Sequence, residues 1–373
     1  MIISTEEFRK VCSTVLAATD GSELSALTET LELKTEGNIL YLMVTNKEYF
    51  ARVAFQLNHE EAFHASVNAN LFLKLIAAIT SDTIEMSVNE TNLNIKANGN
   101  YKIPLIYEND TMMSIPVISI ANPTVNMTIP GAVLESIVNY NTKQLAIGTA
   151  AKPVQKMFYV DEQGCITFTS GACVNSFTLT TPIRVLFNSR LVNLFKLFKG
   201  QAVNFTLGYD AISDTIIQTK VSFETANITL TAVTGCDDSL LNQVPVNAIR
   251  GRASKAYDNT VVLSVAAMSE AINRLLLFSS GYGGKENLKP YGRFDFTHDD
   301  VTIYDAKKEN VEILKYQNDT NITAETYSMT LDLVEFKKIL DGCTEQYITL
   351  LFGDHKACVV VRGMVRNIIP EVN

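Results

Sequence analysis

Residues 331–361 read LDLVEFKKILDGCTEQYITLLFGDHKACVVV. Leu333, Phe336, Ile339 and Leu340 recur at the spacing of one helix face. Asp332 can accept hydrogen bonds from the first free N–H groups of that helix, and Gly342 can end it. YITLLFG and ACVVV then have the β-branched and aromatic composition of strands, with Gly-Asp-His-Lys as the turn between them. The stretch therefore predicts an amphipathic helix packed on an antiparallel sheet, an α+β arrangement.

The same order recurs upstream. NANLFLKLIAAIT (68–80) precedes TIEMSVN and NLNIKAN, and FNSRLVNLFKLFKG (187–200) precedes VNFTLGYD, TKVSFET and NITLTAV. An earlier helix opens each copy, starting near 5, 131 and 267, and the second helices start near 68, 188 and 332. In the first of these, Ser4 and Glu7 have the capping-box spacing, and Phe8, Val11, Cys12, Val15 and Leu16 form the apolar stripe. Asn122-Pro123 marks one break and a second falls before Ala248. Three copies of a two-helix, multi-strand unit fill the length, with domains expected at 1–122, 123–247 and 248–373.

Of the 373 residues 47% are hydrophobic and 19% charged, which predicts packed cores rather than a disordered chain. Six cysteines (Cys12, Cys165, Cys173, Cys236, Cys343 and Cys358) lack zinc spacing and are expected to be reduced thiols. His59, His64, His298 and His355 lie in separate segments. Neither a GxxxxGK[ST] loop nor a nucleophile elbow occurs, and the glycine-rich SSGYGG (279–284) reads as a surface loop. The expectation is a non-catalytic protein without cofactor or metal. The N-terminus lacks signal-peptide character and no apolar run approaches a membrane span, so a cytoplasmic protein is expected.

Charge is unevenly placed. The net charge is −9, yet the six helix windows (4–19, 68–80, 130–143, 187–199, 264–280 and 332–341) hold ten basic and seven acidic residues. The basic ones are Arg9, Lys10, Lys74, Lys143, Arg190, Lys196, Lys199, Arg274, Lys337 and Lys338. An acidic body with relatively basic helices fits a helix side that faces an anion; ordinary solvated helix faces are the other reading.

With these repeats, and with ISTEEFRKVCSTVLAAT (3–19), MTIPGAVLESIV (127–138), KMFYVDEQGCITFTSG (156–171) and EAINRLLLFS (270–279), the chain resembles the bacterial DNA polymerase III beta subunit, the replication sliding clamp. The resemblance implies three tandem clamp-type domains, each with two helices inside and antiparallel sheet outside. Two chains would close head to tail into a homodimeric ring around double-stranded DNA. The implied function is that of a processivity factor: a ring that slides on DNA, independent of sequence, and tethers a DNA polymerase during replication. It would perform no chemistry. Its further partner would be a clamp loader, and its place the bacterial cytoplasm, or the infected-cell cytoplasm if the chain is viral. The alternative is a β-rich structural or assembly protein, such as a virion component, with no DNA-tethering role.

The resemblance also assigns residues. The DNA-facing set comprises the ten helix residues above with Lys152, while Ser22 and Gly148 stand at the family's DNA-contact loop positions. A groove for short partner peptides of polymerase and loader would be formed by Val154, Thr169, Gly171, Val174, Leu240, Pro245, Val359, Val360, Val361 and Met364. Where the family has a terminal Met-Pro-Met-Arg-Leu, this chain reads Val361-Arg362-Gly363-Met364-Val365 and continues. The extra tail is expected to reshape or partly cover that groove. Ring closure would set Lys102, Ile103 and Leu105, on an edge strand, against Leu277 and Phe278.

Overall fold

The stretch quoted first folds as read. In the computed structural model the Asp332 carboxylate accepts from the N–H groups of Val334 at 2.8 Å and Glu335 at 3.1 Å. The helix runs Leu333–Leu340 and buries Leu333, Phe336, Ile339 and Leu340. Strands Tyr347–Phe352 and Ala357–Arg362 follow and pair antiparallel. Its ending differs from the reading. The helix closes on Asp341 in right-handed geometry, and Gly342 does not take a positive φ. Ser4 likewise stands at a helix start in the extended conformation of a cap residue but makes no side-chain cap bond.

The structure describes residues 1–19, 25–146, 149–211, 217–235, 238–279, 290–317, 320–354 and 356–372. Among them the helices are α1 (Thr5–Leu16), α2 (Ala69–Ala78), α3 (Gly131–Ser136), α4 (Ser189–Leu194), α5 (Asp238–Leu241), α6 (Val246–Ser254), α7 (Val265–Ser279) and α8 (Leu333–Leu340). Six of these fall at the repeat positions. A π turn, Ile137–Asn141, extends α3, and a 3-10 turn, Phe195–Phe198, extends α4. The two short helices α5 and α6 were not foreseen. Residues 235–245 read as a loop, and Gly251 in the middle of α6 weakens any helical signal.

The chain packs as two compact units. The first comprises Met1–Glu135 and Arg190–Gly235, the second Ser136–Ser189 and Cys236–Asn373. Each holds an eight-stranded and a four-stranded sheet, paired antiparallel throughout. In the first unit the large sheet runs Pro123–Ile129, Val203–Ala211, Ile217–Glu224, Ile228–Thr234, Tyr49–Gln56, Ile39–Thr45, Thr30–Glu36, His64–Asn68. In the second it runs Arg184–Asn188, Met157–Asp161, Gly164–Phe168, Ala172–Ser176, Val365–Pro370, Ala357–Arg362, Tyr347–Phe352, Asn259–Ser264. Each large sheet thus has a central seam where strands distant in sequence meet: Ile228–Thr234 with Tyr49–Gln56, and Ala172–Ser176 with Val365–Pro370. The middle third of the chain gives four strands to each sheet.

Aromatic packing anchors the helices to these sheets. In the first unit Phe8 meets Phe55 edge-on at 5.3 Å and Phe72 at 6.2 Å. Phe195 and Phe205 lie 4.9 and 5.1 Å from Phe223. In the second unit Phe336 of α8 stacks on Phe294 at 5.8 Å, and Phe296 on Phe352 at 4.2 Å. Offset and edge-on pairs of this kind add about 1 kcal/mol each beyond the area they bury.

Candidate functional site

The second unit contains an apolar groove at the seam of its large sheet. Val154, Val174 and Val359 are buried in one cluster with Ile166, Ile249 and Ile368, and Leu240 and Val361 pack against it. Beside the cluster opens a cavity of about 400 Å³, whose walls include Thr169, Gly171, Pro245, Ile249, Arg252, Ile368 and Pro370. Eight of the ten residues assigned from sequence therefore come together here.

Val360 and Met364 do not. Val360 alternates to the opposite sheet face and is buried with Phe336 and Phe352. Met364 is 70% exposed, in the tight turn after Arg362. The reason is that the chain does not run out into a tail at this point. Gly363, with φ +53°, reverses it, and Val365–Pro370 returns as one more strand. That strand enters the sheet between Ala172–Ser176 and Ala357–Arg362. The expected tail is therefore a wall of the groove, supplied by Ile368 and Pro370. A glycine between two β-branched runs was the signal for this hairpin. Ile249 and Arg252 had no such signal, because α6 itself was not legible.

Polar contacts hold the groove's roof. Arg250 of α6 donates twice to Asp161, at 2.8 and 2.5 Å, which fixes the helix over the sheet. At the rim Arg252 and Lys255 converge on Asp354 at 3.2 and 3.1 Å. Burial opposes ionisation of the Asp354 carboxyl, but Lys255, the Lys356 N–H and Arg252 together hold it below the usual aspartate range. Gly171 is required by close approach. A Cβ there would stand 2.4 Å from the Ile368 carbonyl oxygen.

The basic residues divide by partner. In the first unit Arg9 donates to the Ile79 carbonyl at the end of α2. Lys10 pairs with Glu6 at 2.8 Å and Arg190 with Glu48 at 3.6 Å. Lys74, Lys196 and Lys199 are exposed and form no ion pair with a described residue. In the second unit Lys337 pairs with Asp341 at 2.9 Å and Lys338 with Glu335 at 2.7 Å. Lys143 and Lys152 are exposed without such a pair. Arg274 is committed to Glu312 through two hydrogen bonds of 2.7 and 2.8 Å, which also hold the Glu312 carboxyl below its ordinary range. Exposed pairs like Lys10–Glu6 are weak, so these lysines stay available to a competing anion. Arg9 and Arg274 have structural work instead. Ser22 and Gly148 lie outside the described residues, as do Cys236, His355 and most of the glycine-rich loop.

Each unit also ends one small sheet on an edge strand. In the first unit it is Asn100–Pro104, and in the second Val311–Lys315. Ile103 and Leu105 turn their side chains into the first unit's core, while Lys102, next to Ile103 in sequence, is exposed. Leu277 and Phe278 are 65% and 53% exposed. Val311 and Ile313, at 52% and 60%, are also exposed on the neighbouring edge strand, but on the sheet face opposite the one that Glu312 and Leu314 turn towards α7. Among the described residues no three His, Cys, Asp or Glu side chains gather as metal ligands, and no helix is long and apolar enough to cross a membrane.

No family model and no curated protein matches the sequence. Solved structures do match. The DNA polymerase III subunit beta of Pseudomonas aeruginosa aligns at a TM-score of 0.80 with 15% identity, covering 100% of this chain and 99% of that one. The beta subunit of Thermotoga maritima aligns at 0.78 with 12% identity over 100% and 98%. That of Streptococcus pneumoniae aligns at 0.76 with 13% identity over 100% and 99%. End to end, the chain has the fold of the DNA polymerase III beta subunit sliding clamps.

Proposed function

We propose that this chain is a DNA sliding clamp: two copies close head to tail into a ring around duplex DNA and tether a DNA polymerase. The observation that carries the proposal is the likeness to DNA polymerase III beta subunits over the whole chain, at a TM-score of 0.80. A ring that holds DNA by topology needs only weak, sequence-independent attraction to phosphates. Lys74, Lys143, Lys196 and Lys199, exposed on or beside the repeat helices, supply it. The domains would divide at 122 and 247, and the protein would act in the cytoplasm without chemistry of its own.

The second unit's groove would receive short apolar motifs of the polymerase and the loader. Apolar anchors sunk into such a groove carry most of the affinity of a short peptide. The residues after Arg362 then contribute a strand to the site rather than a cover over it. Ring closure would join the edges Asn100–Pro104 and Val311–Lys315 of two copies, with Leu277 and Phe278 alongside.

The test is retention on DNA. The chain should co-elute with closed circular duplex and be released when a nuclease linearises the circle. Lys196→Glu with Lys199→Glu should lower that retention by about tenfold in moderate salt. A chain that stays monomeric at micromolar concentration and never becomes linked to circles is not a clamp.

A further inference from the structure

In the first unit, residues 113–122 (MSIPVISIAN) cross one face of the large sheet without joining a strand or helix. Both ends of this strap are pinned. At the start, buried Glu32 accepts from the Ile115 N–H at 2.7 Å and from the Ser114 hydroxyl at 3.2 Å. Ile115 and Ile118 pack on Met43, Phe50 and Tyr41. At the end, Lys220 donates to the Ser119 carbonyl at 3.1 Å and Asp210 accepts from the Ala121 N–H at 3.2 Å. Gly208 lets the strap close down. A Cβ there would meet the Ile120 side chain at 2.2 Å.

Between the pins lies a cavity of about 360 Å³, roofed by Val117 and Ile118. Its floor is two rows of cross-strand neighbours, Thr206–Ser222–Thr231–Phe50 and Glu224–Thr229–Arg52. Arg52 and Glu224 thus flank Thr229 about 10 Å apart, two strand spacings. Glu224 accepts from Ser222 at 2.9 Å. Arg52 lies over the Tyr41 ring at 4.6 Å and pairs with no carboxylate among the described residues. A guanidinium held in place at one end of a groove with a hydroxyl-rich floor and an apolar roof is a receptor for a carboxylate. The position in the fold repeats as well. This groove sits over the seam of the first large sheet, as the other groove sits beside the seam of the second, each roofed by a segment between repeats.

We propose that the strap-roofed groove is a second peptide-docking site. It takes an extended segment of a partner protein whose apolar side chain lodges under Val117 and Ile118 while an adjacent Asp or Glu pairs with Arg52. Because both ends of the strap are already fixed, little ordering opposes binding. The inference is independent of DNA encirclement.

The experiment selects a random heptapeptide display library on the full chain, on Arg52→Glu, on the milder Arg52→Gln, and on Ile249→Glu in the other groove, each variant first shown to melt cooperatively. Peptides with an acidic residue beside Leu, Ile, Val or Phe should be enriched, should vanish with Arg52→Glu and should survive Ile249→Glu. A synthetic member should bind Arg52→Gln about tenfold more weakly. Enrichment indifferent to both Arg52 variants, or lost with Ile249→Glu, overturns the proposal. So does peptide-free self-association abolished by Arg52→Glu, which would make a second copy the occupant. Retention on circular DNA should not change with Arg52→Gln, so failure of the clamp reading would show separately.

Discussion

Gly171 and Arg362 show how single positions in the second unit carry more than their local pattern suggests. At Gly171 the constraint is space. Replacing it with Ala forces the 365–370 strand off its neighbour and should cost about 1–3 kcal/mol in urea unfolding. Arg362 is 3% exposed and donates to the Ile339 carbonyl at 3.2 Å and to Asn367 at 2.6 Å, with its guanidinium 4.8 Å over the Tyr140 ring. Arg362→Ala takes this donor from the buried Asn367 oxygen and empties the space beside Tyr140 and should cost about 3 kcal/mol, whereas Arg362→Met refills the space and should recover part of it. The five described cysteines, all free thiols, were legible as such. Burial pushes the Cys173 thiol up to about 12 against the opposing pull of Arg362, and Cys12, Cys165 and Cys358 are raised by burial too. Iodoacetamide at pH 8 should therefore reach half-buried Cys343 before any of these four, as peptide mass mapping would show. Neither the close approach at Gly171 nor the burial of Arg362 was readable in sequence, because the first depends on a strand about two hundred residues from its neighbour and the second on the distant Tyr140 ring.

Elements with strong apolar periodicity were foreseen, and elements stabilised by tertiary contact were not. The six repeat helices follow their stripes, while α6 depends on the Arg250–Asp161 pair and on Ile249 in the groove. The strap at 113–122 has the same character. Its Ser, Ile and Pro read as a connector, and what fixes it lies in distant residues, Glu32, Gly208, Asp210 and Lys220. The Lys220 hydrogen bond, with help from the Ala121 and Asn122 amides, holds the Asp210 carboxyl below the ordinary value of 3.8. A carboxyl depressed in the folded state stabilises above its ordinary value and loses that contribution as pH falls through its folded value. The strap's second pin should thus be constant from pH 5 to 8 and weaken only in acid below about pH 3.8. Asp210→Asn should mimic that loosening at neutral pH, seen as faster hydrogen exchange at residues 119–122 with the 49–56 strand unchanged.

At the scale of the molecule, the threefold repeat was written in the chain but the sharing of sheets was not. Helix spacing is local, whereas the pairing of Ile228–Thr234 with Tyr49–Gln56 is a choice among many strands of similar composition. The same limit applies to self-association. Leu277 and Phe278 stood out by resemblance, but the strand Val311–Lys315 emerges beside their helix only because Arg274 of α7 pairs with Glu312. Two large apolar side chains, Leu277 and Phe278, exposed near a strand edge that no described strand pairs are a surface that a folded protein normally covers. If a second copy covers them, Leu277→Asp with Phe278→Asp should weaken dimerisation by about 100-fold or more, since two central anchors are lost and charge is introduced. Sedimentation at micromolar concentration should then show a monomer with an unchanged circular-dichroism spectrum. Lys102→Glu, on the first unit's edge strand and outside the apolar pair, should alter the salt dependence of association far more than its strength. A double variant that sediments like the parent would place the interface elsewhere and remove the edge-to-edge ring.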